Sequence, residues 1–238
     1  MGYPQDNLDI KDKYKHYLKG KKVCVVGPAP KIMGSSSGKV IDSYDVVVRL
    51  NNGYMFCDKH KKDIGSRMDI IYQTSISKIG RGINMPIEKL QNDVKWVCCS
   101  FPDEKHREKI CNFIKYVDNR IPIHIMDRDR WSVLSLLIGK QRERDAIPPT
   151  TGLATIFDLI DYDIEKLYIT GFTFFKRKKK RESVYYSGYS ENPADNTPVN
   201  LKKSKHDFRA ELRYFKKLVK NDDRVDYDDV LKKVVGDI

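Results

Sequence analysis

The sequence predicts an α/β fold: one Rossmann-like domain with a mainly parallel, twisted sheet flanked by helices. A length of 238 residues suits a single large domain. Hydrophobic residues make up 40% of the chain, enough to form a sizeable core. Short apolar runs alternate with helical segments, and this alternation is typical of parallel sheets covered on both faces.

The predicted strands are continuous apolar runs rich in Val and Ile. They span 22–27, 45–51, 68–73, 94–100, 121–126 and 166–171. The first run ends in Gly27, which places small residues directly after a strand. Cys98 and Cys99 are adjacent within the fourth run, so their side chains should point to opposite faces of the sheet.

Three segments carry apolar residues at helical spacing, and we predict helices over 103–117, 151–162 and 206–219. The stretch 176–205 differs, because it opens with six consecutive basic residues and continues through Ser, Gly, Asn and Pro. We expect 176–205 to form a long mobile lid loop. Its basic residues are either solvated by water or bind an anionic ligand.

The chain divides into a polar N-terminal segment, 1–20, and a folded domain, 21–238. It contains no run of about 18 apolar residues and no signal-peptide pattern, so we expect a soluble protein. Five cysteines without a CxxC pair favour free thiols in a reducing, cytoplasmic compartment. A membrane anchor removed ahead of the sequence remains an alternative.

The formal charge of +12 indicates an anionic ligand. Nucleotides, nucleic acids, acidic lipids and acidic glycans all fit, and charge alone does not choose among them.

Two segments could hold a nucleotide. Small residues after Gly27 would let a phosphate approach the backbone, although Pro28 and Pro30 remove two amide donors. Thr150 and Thr151 open a predicted helix, where their hydroxyls can cap free amides or contact an anion. Each segment taken alone fits a structural turn or cap about as well.

A third candidate is His206, at the start of a helix directly after the predicted lid. Histidine is the natural general base near neutral pH. His124 lies inside a strand between isoleucines and fits a hydrogen-bonded core residue better. Asp127-Arg-Asp129 looks like a metal motif, but neighbouring arginines would pair with these carboxylates, and we expect no metal site.

In order and spacing, these motifs resemble the eukaryotic-type sialyltransferases. The long first motif of that family is similar to residues 25–51, its short Asp-Val-Gly-Ser-Arg element to 63–67, and its second motif to 149–172. Its last motif, His and Glu separated by four residues, matches His206 and Glu211. The resemblance covers nearly the whole chain, from about residue 22 to 220.

The resemblance implies a GT-A-like variant of the fold and a metal-independent, inverting transfer of sialic acid from a CMP-sugar to a glycan hydroxyl, without a cofactor. His206 would be the catalytic base, with Glu211 supporting it. Hydroxyls of Tyr185 or Tyr186 would stabilise the leaving phosphate. By position, the donor contacts are Gly27, Asn51, Thr150, Thr151, Gly152, Phe172 and Thr173.

The sequence departs from the family pattern in three places. Pro28 stands where the family has a nucleotide-contacting Asn, the second motif lacks the cysteine of the family's disulfide, and tyrosines replace the third-motif His. Two alternatives therefore stay open. One is a transferase for another CMP-sugar, such as Kdo. The other is an inactive relative that binds nucleic acid through its basic surface, although we expect no nucleic-acid partner.

Overall fold

The computed structural model describes residues 8–74, 87–102, 108, 120–139, 147–176, 183–187, 189 and 206–236. Within these residues, seven strands form one sheet in the order β5-β4-β3-β2-β1-β6-β7, and every neighbouring pair is parallel. The strands are β1 (Lys22–Val26), β2 (Val46–Leu50), β3 (Ile70–Gln73), β4 (Trp96–Cys99), β5 (Ile123–Ile125), β6 (Lys166–Thr170) and β7 (Val225–Tyr227).

Helices connect and cover these strands. They are α1 (Leu8–Leu18), α2 (Gly38–Asp42), α3 (Lys61–Ile64), α4 (Ile87–Asp93), α5 (Arg128–Ile138), α6 (Thr151–Leu159), α7 (Phe208–Asn221) and α8 (Asp229–Val235). Short 3-10 turns follow β1, at Pro30–Ile32, and β2, at Asn51–Phe56.

The predicted fold class is confirmed, and all six predicted strands occur, each trimmed at one or both ends. The helices expected at 151–162 and 206–219 correspond to α6 and α7. The helix expected over 103–117 lies almost wholly outside the described residues, as does most of the predicted lid loop 176–205. The sequence did not predict α1, α2, α3, α4, α5, α8 or β7.

The sheet carries hydrophobic clusters on both faces, as continuous apolar strands require. One face packs against α1, α5, α6, α7 and α8. The opposite face packs against α2, α3 and α4 and the turn after β2. Cys98 belongs to the first cluster and Cys99 to the cluster across the sheet, as the alternation of a strand predicts. The described cysteines are buried.

The N-terminal helix packs against the sheet. Tyr14 and Leu18 of α1 have no exposed area. The Tyr14 hydroxyl lies 2.9 Å from that of Tyr72, which donates to Asp158 at 2.7 Å. Asp158 also lies 2.8 Å from His124 Nε2. His124 is therefore a hydrogen-bonded core residue, and the segment 1–20 contributes a helix to the same core as the rest of the chain.

A buried arginine holds the Asp63–Arg67 element in place. Arg49 on β2 is 1% exposed, and its guanidinium donates to the carbonyl oxygens of Ile64, at 2.7 Å, and Arg67, at 2.9 Å. The backbone amide of Arg67 donates in turn to Asp42 Oδ1 at 3.0 Å, which fixes the same element to α2. These contacts hold the Asp63–Arg67 element against β2 and α2, near the carboxyl end of β2.

Candidate active site

Segments after β1 and β6 and the start of α6 meet at the carboxyl edge of the sheet. The Ala29 amide donates to Gly171 O at 2.8 Å. A Cβ added to Gly27 would lie 2.6 Å from the Phe172 ring, and one added to Gly152 would lie 2.7 Å from it. Both glycines are therefore required by the close approach of one aromatic ring, and the two predicted nucleotide segments share one location.

Asn51 joins the end of β2 to the end of β3 and to α6. Its backbone has φ of 45°, in the left-handed region that Asn tolerates better than most residues. Its Nδ2 donates to Thr151 Oγ1 at 3.4 Å, and its Oδ1 accepts from the Thr74 amide at 3.1 Å. The Thr74 and Thr151 hydroxyls also share a hydrogen bond. These contacts orient polar groups from three elements toward one another.

Thr150 and Glu211 link the start of α6 to α7. Thr150 Oγ1 caps α6 by accepting from the Leu153 amide at 3.3 Å. The same hydroxyl donates to Glu211 Oε2 at 2.7 Å, and the Thr150 amide donates to Glu211 Oε1 at 2.8 Å. Glu211 is 1% exposed. Burial raises the pKa of its carboxyl to about 7, while the two Thr150 hydrogen bonds act in the opposite direction.

His206 lies just before α7, in a half-buried position. Its Nδ1 is 2.7 Å from the carbonyl oxygen of Pro148, which can only accept a hydrogen bond. In the neutral ring the proton therefore sits on Nδ1, and Nε2 is the nitrogen that can take up a proton. Burial lowers the pKa of His206 below its ordinary value, and the Pro148 contact opposes this effect.

The two tyrosines predicted to contact the leaving phosphate occupy different environments. Tyr186 is 4% exposed, packs in the cluster with α2 and α3, and its amide donates to Pro28 O at 3.0 Å. Tyr185 is half-buried, and its ring lies 5.9 Å from Phe175. Phe175 in turn stacks on Phe208 at 4.0 Å, next to His206. Tyr185 therefore contacts both this cluster, through Tyr189 at 5.0 Å, and the phenylalanines beside His206, whereas Tyr186 is buried within the cluster.

The loop after β6 reaches the same region through a strained backbone. Phe174 and Phe175 have φ of 45° and 58°, a region that bulky residues rarely occupy. Thr173, which precedes them, is buried and accepts a turn hydrogen bond from the Lys176 amide at 2.9 Å. Such strain persists only where the surroundings enforce it and often accompanies functional sites. Here it directs two phenylalanine rings toward α7.

The Asp127-Arg-Asp129 stretch forms a helix cap. Asp127 accepts from the Asp129 amide at 2.9 Å and the Arg130 amide at 3.2 Å, which opens α5, and it pairs with Lys11 at 3.0 Å. Arg130 pairs with Asp161. Across the described ranges, no group of three or more His, Cys, Asp or Glu residues could hold a metal ion.

Three site residues were not predicted from the sequence. Thr74 follows β3 directly, and its position at the carboxyl end of a strand was a signal that could have found it. Pro148 contributes a backbone carbonyl, for which residue type carries no signal. Tyr189 is buried, and its hydroxyl donates to Leu50 O at 2.9 Å, beside Asn51. It was not predicted because it lies within 176–205, which the sequence indicated to be a mobile loop.

Solved sialyltransferases share the fold of this chain. A mammalian sialyltransferase in complex with Gal-beta-1-3GalNAc-ortho-nitrophenol matches with a TM-score of 0.59 and 16% identity, covering 95% of this chain and 75% of that one. CstII from Campylobacter jejuni, in complex with the substrate analogue CMP-3FNeuAc, matches with a TM-score of 0.56 and 16% identity, over 90% and 85%. Cst-I, a monofunctional alpha-2,3-sialyltransferase from the same organism, matches with a TM-score of 0.56 and 16% identity, over 92% and 83%.

A comparison with curated protein sequences found no match. Among the helices that the structure describes, none is both long enough and apolar enough to cross a bilayer. The sequence model of glycosyltransferase family 29 (sialyltransferase) matches residues 5–222, which is most of the chain. The protein is thus a glycosyltransferase, and it belongs to glycosyltransferase family 29, the sialyltransferase family.

Proposed function

We propose that the chain transfers sialic acid, or a similar acidic sugar, from a CMP-sugar to a glycan hydroxyl in one inverting step. The observation that carries this proposal is the hydrogen bond from His206 Nδ1 to Pro148 O. It leaves Nε2 as the proton acceptor at the carboxyl edge of the sheet, where ligands of open parallel sheets bind.

In the proposed step, Nε2 of His206 takes the proton of the acceptor hydroxyl while that oxygen attacks the anomeric carbon. The bond from this carbon to the phosphate oxygen breaks, and CMP leaves with its electron pair. A base must be neutral to act, and the lowered pKa of His206 supports this role near neutral pH.

The leaving phosphate needs donors that stabilise its growing negative charge. Of the two neighbouring tyrosines, Tyr185 suits this role better, because its ring lies on the side of Phe175 and Phe208. Tyr186 packs against Phe56 and the helices of the opposite face. We therefore assign the phosphate contact to Tyr185 and a supporting role under Pro28 to Tyr186.

The donor nucleotide fits the hydroxyls and amides around Asn51. Asn51, Thr74 and Thr151 form one hydrogen-bonded group at the ends of β2, β3 and α6. The start of α6 offers partial positive charge to an anion, and Gly152 keeps its backbone open beside Phe172. Thr150 is already engaged by Glu211, so we assign it to holding α6 and α7 together.

Two variants test the proposed roles separately. His206→Ala should leave CMP affinity nearly intact while turnover falls by about 10² to 10⁴, because the base contacts the acceptor. Asn51→Ala should weaken CMP binding first. The measurements are calorimetric CMP binding and CMP release from a panel of CMP-sugars with a surrogate glycan acceptor.

His16→Ala is the matched control, because His16 is exposed on α1, and its variant should behave as wild type. A His206→Ala protein that transfers sugar at the wild-type rate would remove His206 from the mechanism. Wild-type protein that binds RNA with steep salt dependence and releases no CMP from any donor would favour the inactive nucleic-acid binder instead.

A further inference from the structure

One helix exposes a stripe of aliphatic side chains. Val133, Leu136 and Leu137 of α5 are 49%, 72% and 57% exposed. Their spacing of three and four residues places them on one side of the helix, while Leu134 and Ile138 face the core. Soluble surfaces tolerate single exposed aliphatic residues, but a contiguous stripe marks an interaction site.

A helix that contacts α5 exposes a row of basic side chains. Arg209, Arg213, Lys217 and Lys220 of α7 are exposed, at spacings of four, four and three residues. The acidic residue of this helix, Glu211, is buried and bound to Thr150, so it does not neutralise the row. None of these four side chains forms an ion pair with any residue in the described part of the chain.

These two features form one surface. Leu134 and Ile138 of α5 and Ala210 and Phe215 of α7 belong to the same core cluster, and the two helices contact each other. The two helices are therefore neighbours on the same face of the sheet, and the stripe and the row both lie on their exposed sides. We call this surface the α5–α7 face and define it by Val133, Leu136, Leu137, Arg209, Arg213, Lys217 and Lys220.

We propose that the α5–α7 face docks on an anionic lipid bilayer. Aliphatic side chains gain free energy by entering the boundary between headgroups and acyl chains, and neighbouring basic side chains gain from lipid phosphates. A formal charge of +12 on the whole chain acts in the same direction. Binding by an exposed helix face needs no membrane-spanning segment.

Other occupants fit this surface less well. A twofold pairing through this face would bring no acidic side chain to the four cations of either copy, because the face as defined contains none. Single-stranded nucleic acid is held by aromatic platforms as well as cations, and the exposed stripe of α5 is aliphatic. A bilayer satisfies both the stripe and the row at once.

The test is sedimentation with vesicles. It needs no transferase activity, so its result is independent of whether the proposed reaction is correct. Wild type should sediment with phosphatidylcholine vesicles that contain about 30% phosphatidylglycerol, and far less with phosphatidylcholine alone. Arg213→Ala/Lys217→Ala should weaken binding about 25-fold, since each basic side chain near such a surface contributes a factor of about five. Leu136→Glu/Leu137→Glu should weaken it at least about tenfold.

Matched controls lie on the other face of the sheet. Val40 on α2 is 56% exposed, and Lys61 and Lys62 on α3 are exposed. Val40→Glu and Lys61→Ala/Lys62→Ala should retain at least half of wild-type binding. Equal losses in the control and α5–α7 variants would reduce the effect to net charge and overturn the proposal. Wild type that does not sediment with anionic vesicles would also overturn the proposal. So would a wild-type dimer that the α5 substitutions convert to monomers without changing vesicle binding.

Discussion

The buried carboxyl of Glu211 should make the stability of the protein depend on pH between 4.5 and about 7. Glu211→Gln tests this, because glutamine keeps the size of the side chain but cannot ionise. Its Oε1 can accept from the Thr150 amide, and its Nε2 can donate to the Thr150 hydroxyl. The variant therefore keeps both contacts, with Thr150 Oγ1 as the acceptor instead of the donor in one of them, and removes the charge.

The sign follows from the order of proton release. Burial raises the pKa of Glu211 from 4.5 to about 7 in the folded protein. Below pH 4.5 the carboxyl is protonated in both the folded and the unfolded state, so its contribution to stability is fully present. As the pH rises further, the unfolded chain releases its proton first, and the folded state loses stability until the pH passes about 7. At 1.36 kcal/mol per pKa unit, the total loss is about 3 kcal/mol.

The assay is urea unfolding of wild type and Glu211→Gln at several pH values from 4.5 to 8. The free energy of unfolding of the variant should gain about 3 kcal/mol relative to wild type across this range. Thr150→Ala is the opposing control, because it deletes a hydroxyl whose hydrogen bond lowers the pKa of Glu211, so the loss of stability should continue to a higher pH than in wild type. A wild-type minus variant difference that stays constant with pH would refute the reasoning.

Three further predictions concern the active site. Tyr185→Phe should lower turnover about 10-fold or more with normal folding. Tyr186→Phe, which keeps the packed ring and the amide bond to Pro28, should retain near wild-type turnover, and equal kinetic losses would contradict the assignment. Gly27→Ala should weaken CMP binding and lower the free energy of unfolding by about 1–3 kcal/mol, because the new Cβ would lie 2.5 Å from Gly171 O. Wild-type values in both measurements would contradict this prediction. The acid limb of kcat/KM against pH should fall below 6.5, because burial lowers the pKa of His206, and a limb above 6.5 would argue against His206 as the base.

The strands were predictable from sequence because each is a continuous run of apolar, mostly β-branched residues. Such runs occur where both faces of a sheet are covered. β7 was not, since Val225–Tyr227 is only three residues long with Asp226 at its centre. α1 looked polar because its buried side is narrow: Tyr14 and Leu18 carry much of it among charged residues. The tertiary setting, and not the local pattern, made these segments regular.

The convergence of Gly27, Thr151 and Phe172 followed from one rule, that parallel strands present their carboxyl ends at the same edge. The individual contacts did not follow. A carbonyl such as that of Pro148 is present at every residue, so its selection by His206 depends on coordinates alone. The roles of the candidate site residues therefore remain predictions, while the fold and the family are established.

The position of α1 has a consequence for the synthesis of the protein. Although this helix emerges from the ribosome before the strands that the structure describes, its partners include Tyr72, Cys98 and Asp127, the last more than one hundred residues later. Loop closure over such distances is slow. Until β5 has emerged, Tyr14 lacks the ring of His124 that stacks on it at 4.2 Å, and the apolar side of α1 is incompletely covered. We therefore expect ribosome-bound chains that end before β5 to expose Tyr14 and Leu18 to proteases that the finished protein resists.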